Sequence, residues 1–146
     1  MPHDTQKLTQ LVLQMWNSGT SELATQIFTS TAEYRQPGHT TISGPAEIAE
    51  WVSTIHTAFP DFRLEITRTI AEGEHLVHCW RTTGTHKGQF LGAPPTGKRV
   101  DVQGITVSRV SDGRIQEATV LYDRLSFLEQ IGAVPSSERE MAGAAD

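Results

Sequence analysis

The residues best placed for proton chemistry lie near the C-terminal end of the chain, where Val120-Leu121-Tyr122 runs into Asp123. A carboxylate at the end of a largely apolar strand, beside an aromatic ring, loses hydration. Its pKa then rises, and it becomes usable as a general acid or base near neutral pH. A plainer reading stands beside this one. Asp is a common N-cap, and Asp123 directly precedes a helical pattern, Arg124 to Ile131, that Gly132 ends. Asp101 is a second carboxylate that folding could bring near Asp123 as a glycosidase-like pair, but spacing along the chain gives no distance between them.

The six histidines, His3, His39, His56, His75, His78 and His86, are scattered. His75 and His78 are three apart on a strand pattern, so they point to opposite faces and do not share a metal. With no His-Glu-x-x-His or Cys-x-x-Cys spacing, no metal site is expected. His78, well inside its strand, reads either as a half-buried histidine with a hydrogen-bond partner or as part of a pocket wall. His86, in Gly84-Thr85-His86-Lys87-Gly88, reads as a turn stabiliser or as a catalytic group. The run Gly92 to Lys98 has the spacing of a phosphate loop, yet Pro94 and Pro95 remove the backbone donors such a loop needs. Arg99 also stands where Ser or Thr would hold magnesium, and a strand pattern follows where a helix belongs. Nucleophilic catalysis has little support either: there is no Gly-x-Ser-x-Gly elbow, and Cys79 lies in a strand pattern with nothing to activate it.

The elements that must position these groups change period part-way along the chain. Leu8, Leu11, Val12, Met15 and Trp16 mark an amphipathic helix, capped by Asp4 or Thr5 and ended at Asn17-Ser18-Gly19. A short helix follows Ser21, burying Leu23, Ile27 and Phe28, before TAEYRQP turns extended. Gly44-Pro45 opens a third helix with Ile48, Trp51, Val52, Ile55 and Phe59 on one face. From Phe62 the period becomes two: Phe62, Leu64, Ile66 and Ile70 alternate with polar residues, and LVHCWRTTGTH, VDVQGITVSRV and RIQEATVLYD follow, the last two joined by an Asp112-Gly113 hairpin turn. The class is therefore α+β with a mostly antiparallel sheet. One-faced helices against a single long sheet predict a cone-shaped α+β barrel, a curved sheet wrapped around the helices and enclosing a pocket.

At 146 residues the chain is one domain, expected over residues 1–135 with a loosely held tail at 136–146. It has no apolar run of membrane-spanning length, and Met-Pro-His-Asp-Thr-Gln lacks signal-peptide character, so a cytoplasmic location is expected. The single cysteine excludes an internal disulfide. A net charge of −5 without a basic cluster argues against nucleic acid and an anionic membrane surface, leaving a neutral or weakly polar small molecule as the natural partner.

Three stretches, AFPDFRLE (Ala58 to Glu65), GTHKGQFLGAPPTGKRV (Gly84 to Val100) and RVSDGRIQE…YDRLSFLEQIG (Arg109 to Gly132), resemble the SnoaL-like polyketide cyclases of the nuclear transport factor 2-like superfamily. The resemblance implies a cofactor-independent enzyme of secondary metabolism, of the kind used in antibiotic biosynthesis. Such an enzyme closes a ring on a polyketide-like aromatic intermediate by intramolecular aldol condensation, with Asp123 as acid and base. It also implies a polar partner, for which Gln103, His78, His86 and Arg81 are the candidates. Tyr34, Trp51, Phe59 and Tyr122 are candidate substrate-binding walls; for Trp51 and Phe59 an ordinary core role is an equal reading. Hydroxylases, isomerases, epoxide-transforming enzymes and non-catalytic binding modules share such a fold. Arg81 resembles the central arginine of the epoxide hydrolases, but Thr83 and Val120 stand where their partner groups would be, which disfavours that reaction. The resemblance further implies a homodimer formed through the outer sheet face.

Overall fold

The computed structural model describes residues 2–134. The expected tail lies outside the described residues. The helical half comes first: α1 (Pro2–Ser18), a single 3-10 turn (Ser21–Leu23), α2 (Ala24–Ile27) and, after two strands, α3 (Gly44–Ala58). α1 begins ahead of both expected caps, at Pro2, a residue suited to a helical first turn. Its apolar stripe buries Leu8 and Met15. It ends at Ser18, before Gly19 at φ 70°, and Asn17 pins it to the sheet, accepting from the Leu64 N–H at 2.6 Å and donating to the Leu64 carbonyl at 3.0 Å. α3 buries Ile48, Val52, Ile55 and Ala58, and each of the large side chains contributes about 1.5–3 kcal/mol on leaving water.

The strands β1 (Phe28–Arg35), β2 (Ile42–Ser43), β3 (Arg63–Glu72), β4 (His75–Thr85), β5 (Arg99–Ser111) and β6 (Arg114–Tyr122) form one sheet in the order β2-β1-β6-β5-β4-β3. The sheet is mixed: β1 runs parallel to β6 and every other pair is antiparallel. It is open, with β2 and β3 as its edges, where the sequence suggested a barrel. The β5–β6 hairpin turns at Asp112 and Gly113, both with positive φ (51° and 77°), as the Asp-Gly signal requires.

Strand alternation sorts the sheet into two faces. On β5, Val100, Val102 and Ser108 are buried against the helices, while Asp101, Gln103, Ile105 and Val107 face out. One irregularity breaks the pattern read from the sequence. The β3–β4 register shifts between Ile66 and Arg68, so Thr67 is an extra residue. Leu64 and Ile66 therefore point inward as expected, whereas Ile70 is turned outward and is 48% exposed.

Closing the chain, α4 (Arg124–Gln130) lies on the β5 end of the sheet. Its Gln130 side chain bonds the Asp101 backbone on both sides, accepting from N–H at 2.6 Å and donating to C=O at 2.9 Å. Gly132, at φ 79°, stops it.

Candidate active site

Between the helices and the concave sheet face lies a cavity of about 150 Å³. α1 contributes Val12 and Trp16 and α3 contributes Trp51 and Ile55; β4, β5 and β6 supply most of the opposite wall. One end is aromatic. Phe59, Phe90 and Phe127 meet edge to face, with centroids 5.5 to 6.0 Å apart, and Trp51 leans on Phe90 at 5.8 Å.

Among the described residues, no Lys, Arg, Asp or Glu side chain lines this cavity. Its polar groups are neutral, and three are held in place by protein partners. Trp80 Nε1–H donates to Thr106 Oγ1 at 2.9 Å. His78, only 4% exposed, has its Nε2 on the Thr9 hydroxyl at 2.9 Å. The Tyr122 hydroxyl is 2.9 Å from His39 Nε2, and the His39 ring in turn lies against Trp51. Burial pushes His78 below the ordinary imidazole range. Burial first and the Arg124 charge second do the same to His39. Both rings are therefore neutral at pH 7. Burial raises the phenols of Tyr34 and Tyr122, so both remain protonated donors.

The residues singled out from the sequence separate into two groups. Tyr34, Trp51, Phe59, Tyr122 and His78 all line the cavity. Asp123, Arg81, Gln103 and His86 do not. The expectation that Asp123 sits in a largely buried setting is corrected: it is exposed, and its Oδ1 accepts the Ser126 N–H at 3.1 Å as the N-cap of α4. The physical reason is strand parity. Tyr122 takes the inward position, so the next residue must face away. Arg81 and Gln103 are register partners on the outer face, and Arg81 grips Asp101 there through both carboxylate oxygens (Nε to Oδ1 2.7 Å). Asp101 and Asp123 thus each have a partner of their own. His86 is fully buried, stacked on Phe59 at 5.5 Å with Nδ1 3.0 Å from Thr96 Oγ1, and so ties the Pro94-Pro95 loop to the end of β4.

The sequence reading missed Gln36 and His39. Gln36 follows Tyr34 at a spacing of two and points the same way, a signal present in the sequence. His39 meets Tyr122 across 83 positions and had no local signal.

The family's sequence profile, SnoaL-like polyketide cyclase, matches residues 6–131. The chain belongs to this family. Among SnoaL-like relatives, the nogalonic acid methyl ester cyclase of Streptomyces nogalater is 29% identical over 91 residues, covering 62% of this chain and 68% of that protein. A pathogen-related protein of Hordeum vulgare is 30% identical over 112 residues, 73% of this chain but only 48% of its own length, so the chain spans about half of that relative. The structure of TsrD from Streptomyces laurentii superposes with a TM-score of 0.83 at 23% identity, over 92% of this chain and 98% of that one. The fold is of the nuclear transport factor 2-like α+β class. Among the described residues, no cluster of His, Cys, Asp or Glu could hold a metal, and no helix is long and apolar enough to cross a membrane.

Proposed function

We propose that the chain binds an uncharged, polyketide-like aromatic intermediate in this cavity and remodels it by acid/base chemistry without a cofactor, by intramolecular aldol ring closure. The observation that carries the reading is the lining itself: among the described residues, a wall rich in aromatic side chains, without a formal charge, set with a few fixed neutral polar groups. In such a closure a base takes a proton from a carbon flanked by carbonyls. The enolate attacks a ketone, and an acid returns a proton to the new alkoxide. The atoms balance within one molecule, so no redox partner is needed. We assign the base to the neutral His78 and the proton donors to the phenols of Tyr34 and Tyr122, a reading supported by their places in the cavity wall. Folding a flexible substrate against Trp51, Phe59 and Phe90 supplies the positioning. Asp123, the residue the family resemblance implies, would have to give up the Ser126 N–H and turn across the strand to take part. We further propose that the protein works as a homodimer in secondary metabolism, paired through the outer sheet face.

A second reading, a binding module without catalysis, is favoured by the outward position of Asp123 alone. One assay separates the readings. Incubation with a tricyclic aromatic polyketide keto ester should give a product of unchanged mass and new retention time, with or without oxygen. A gain of one oxygen atom would replace cyclisation with hydroxylation. A bound but unconverted ester would leave only the binding module.

A further inference from the structure

Among the described residues, His78, Trp80, Thr106 and Tyr122 in the cavity wall have a hydrogen-bond partner within the protein; Tyr34 and Gln36 do not. The two stand at a spacing of two, Tyr34 near the end of β1 and Gln36 just beyond it, so both face inward with Cα atoms about 7 Å apart. They are 8% and 7% exposed, and among the described residues neither the phenol nor the carboxamide makes a hydrogen bond. Neither polar end is sealed off, since among the described residues the buried and unpartnered side-chain atoms are those of His86 and Ser108. Ser108, by contrast, is enclosed completely, with Leu76 and Ala118 as its register partners. The main chain at Gln36 is already committed to the turn at Pro37, its carbonyl accepting the His39 N–H at 2.9 Å, which leaves the side chain pointing into the cavity. Buried amide and hydroxyl groups are almost always paired, so two neighbouring ones left open at a cavity wall are groups that a ligand completes.

We propose that Tyr34 and Gln36 form an oxygen-recognition edge for an uncharged aromatic ligand: the Tyr34 hydroxyl donates to a ketone or ester carbonyl, and the Gln36 carboxamide holds a second oxygen. The inference rests on the cavity being the ligand site, and it specifies what that ligand carries. The second oxygen is a hydroxyl or carbonyl, because the carboxamide both donates and accepts. A carboxylate is disfavoured, since no cation among the described lining residues would offset its desolvation.

The test uses three probes with one ring system, methyl 3-hydroxy-2-naphthoate, its free acid and 2-isopropylnaphthalene, read by quenching of the fluorescence of Trp16, Trp51 and Trp80, which all line the cavity. Tyr34→Phe and Gln36→Leu should each weaken the ester by about 3- to 10-fold, the scale of one neutral hydrogen bond, and leave the hydrocarbon within about twofold. The acid should bind the native protein more weakly than the ester. Ester binding unchanged in both variants would overturn this inference and leave the cavity reading standing. Failure of the native protein to bind either ester or hydrocarbon would overturn both. An acid that binds as tightly as the ester would overturn the preference for an uncharged ligand. Thermal unfolding supplies a control without ligand. Tyr34→Phe keeps the ring against Phe28 and should unfold at an unchanged or higher temperature. A fall of several degrees would mean that the protein itself uses the hydroxyl.

Discussion

Asp123 and Tyr122 are adjacent in the chain and opposite in role. Tyr122 faces the cavity and bonds His39, whereas Asp123 faces solvent and caps α4. Asp123→Ala should therefore lower stability by about 1 kcal/mol, and Asp123→Asn by only a few tenths, since Asn caps as well as Asp. With His78 as the proposed base, the Asn variant should also keep its turnover within a few-fold. Denaturant unfolding checks the first statement and the ring-closure assay the second. A turnover loss of several orders of magnitude would return Asp123 to the chemistry and require its cap to open during the reaction. Charge and residue type made Asp123 conspicuous in the sequence. They could not say which way it points, because one step along a strand reverses the face.

At the scale of elements, β5 is the wall on which the cavity depends, and its weak point is Gly104. A Cβ there would meet the Trp80 ring at 2.3 Å and the Leu121 carbonyl oxygen at 2.8 Å. Only glycine lets the indole lie across β5 and donate to Thr106. Gly104→Ala should displace Trp80, break that bond and cost about 1–3 kcal/mol by overpacking, with a visible change in indole emission. Native-like emission and stability would show that the strand absorbs the methyl group. The elements themselves were legible: helical spacing gave α1, α3 and α4, and alternation gave β3 to β6. The bulge at Thr67 was not legible. Phe62, Leu64, Ile66 and Ile70 read as one apolar face, yet the register shift sends Ile70 to the other side. A bulge answers to the partner strand, and nothing within β3 announces it.

For the whole molecule, the outer sheet face carries a consequence of that shift. Ile70, Val77 and Val107 form one row across β3, β4 and β5, and Cys79, Ile105 and Leu121 form the next across β4, β5 and β6. Ile70, Ile105, Val107 and Leu121 are 42–55% exposed. Arg81–Asp101 lies beyond one end of this apolar band and Arg109–Glu117 beyond the other. An apolar centre with a charged rim suits self-pairing about a two-fold axis. Light scattering should give a dimer mass at micromolar concentration, and Ile105→Lys with Leu121→Lys should give a folded monomer with its cavity unaltered. A monomeric native protein would end the proposal.

The sequence by itself determined the α+β class, the Asp112-Gly113 hairpin turn, the glycine stops after α1 and α4 and membership of a family, because these rest on local periodicity, backbone preference and residue pattern. The tertiary structure alone decided that the sheet is open and mixed, that Gln36, His78 and the two tyrosines face the cavity, and that Asp123, Arg81 and Gln103 face away. The physical reason is that facing depends on register between strands far apart in the chain. His39 and Tyr122, 83 positions apart, become neighbours only when β1 is laid alongside β6.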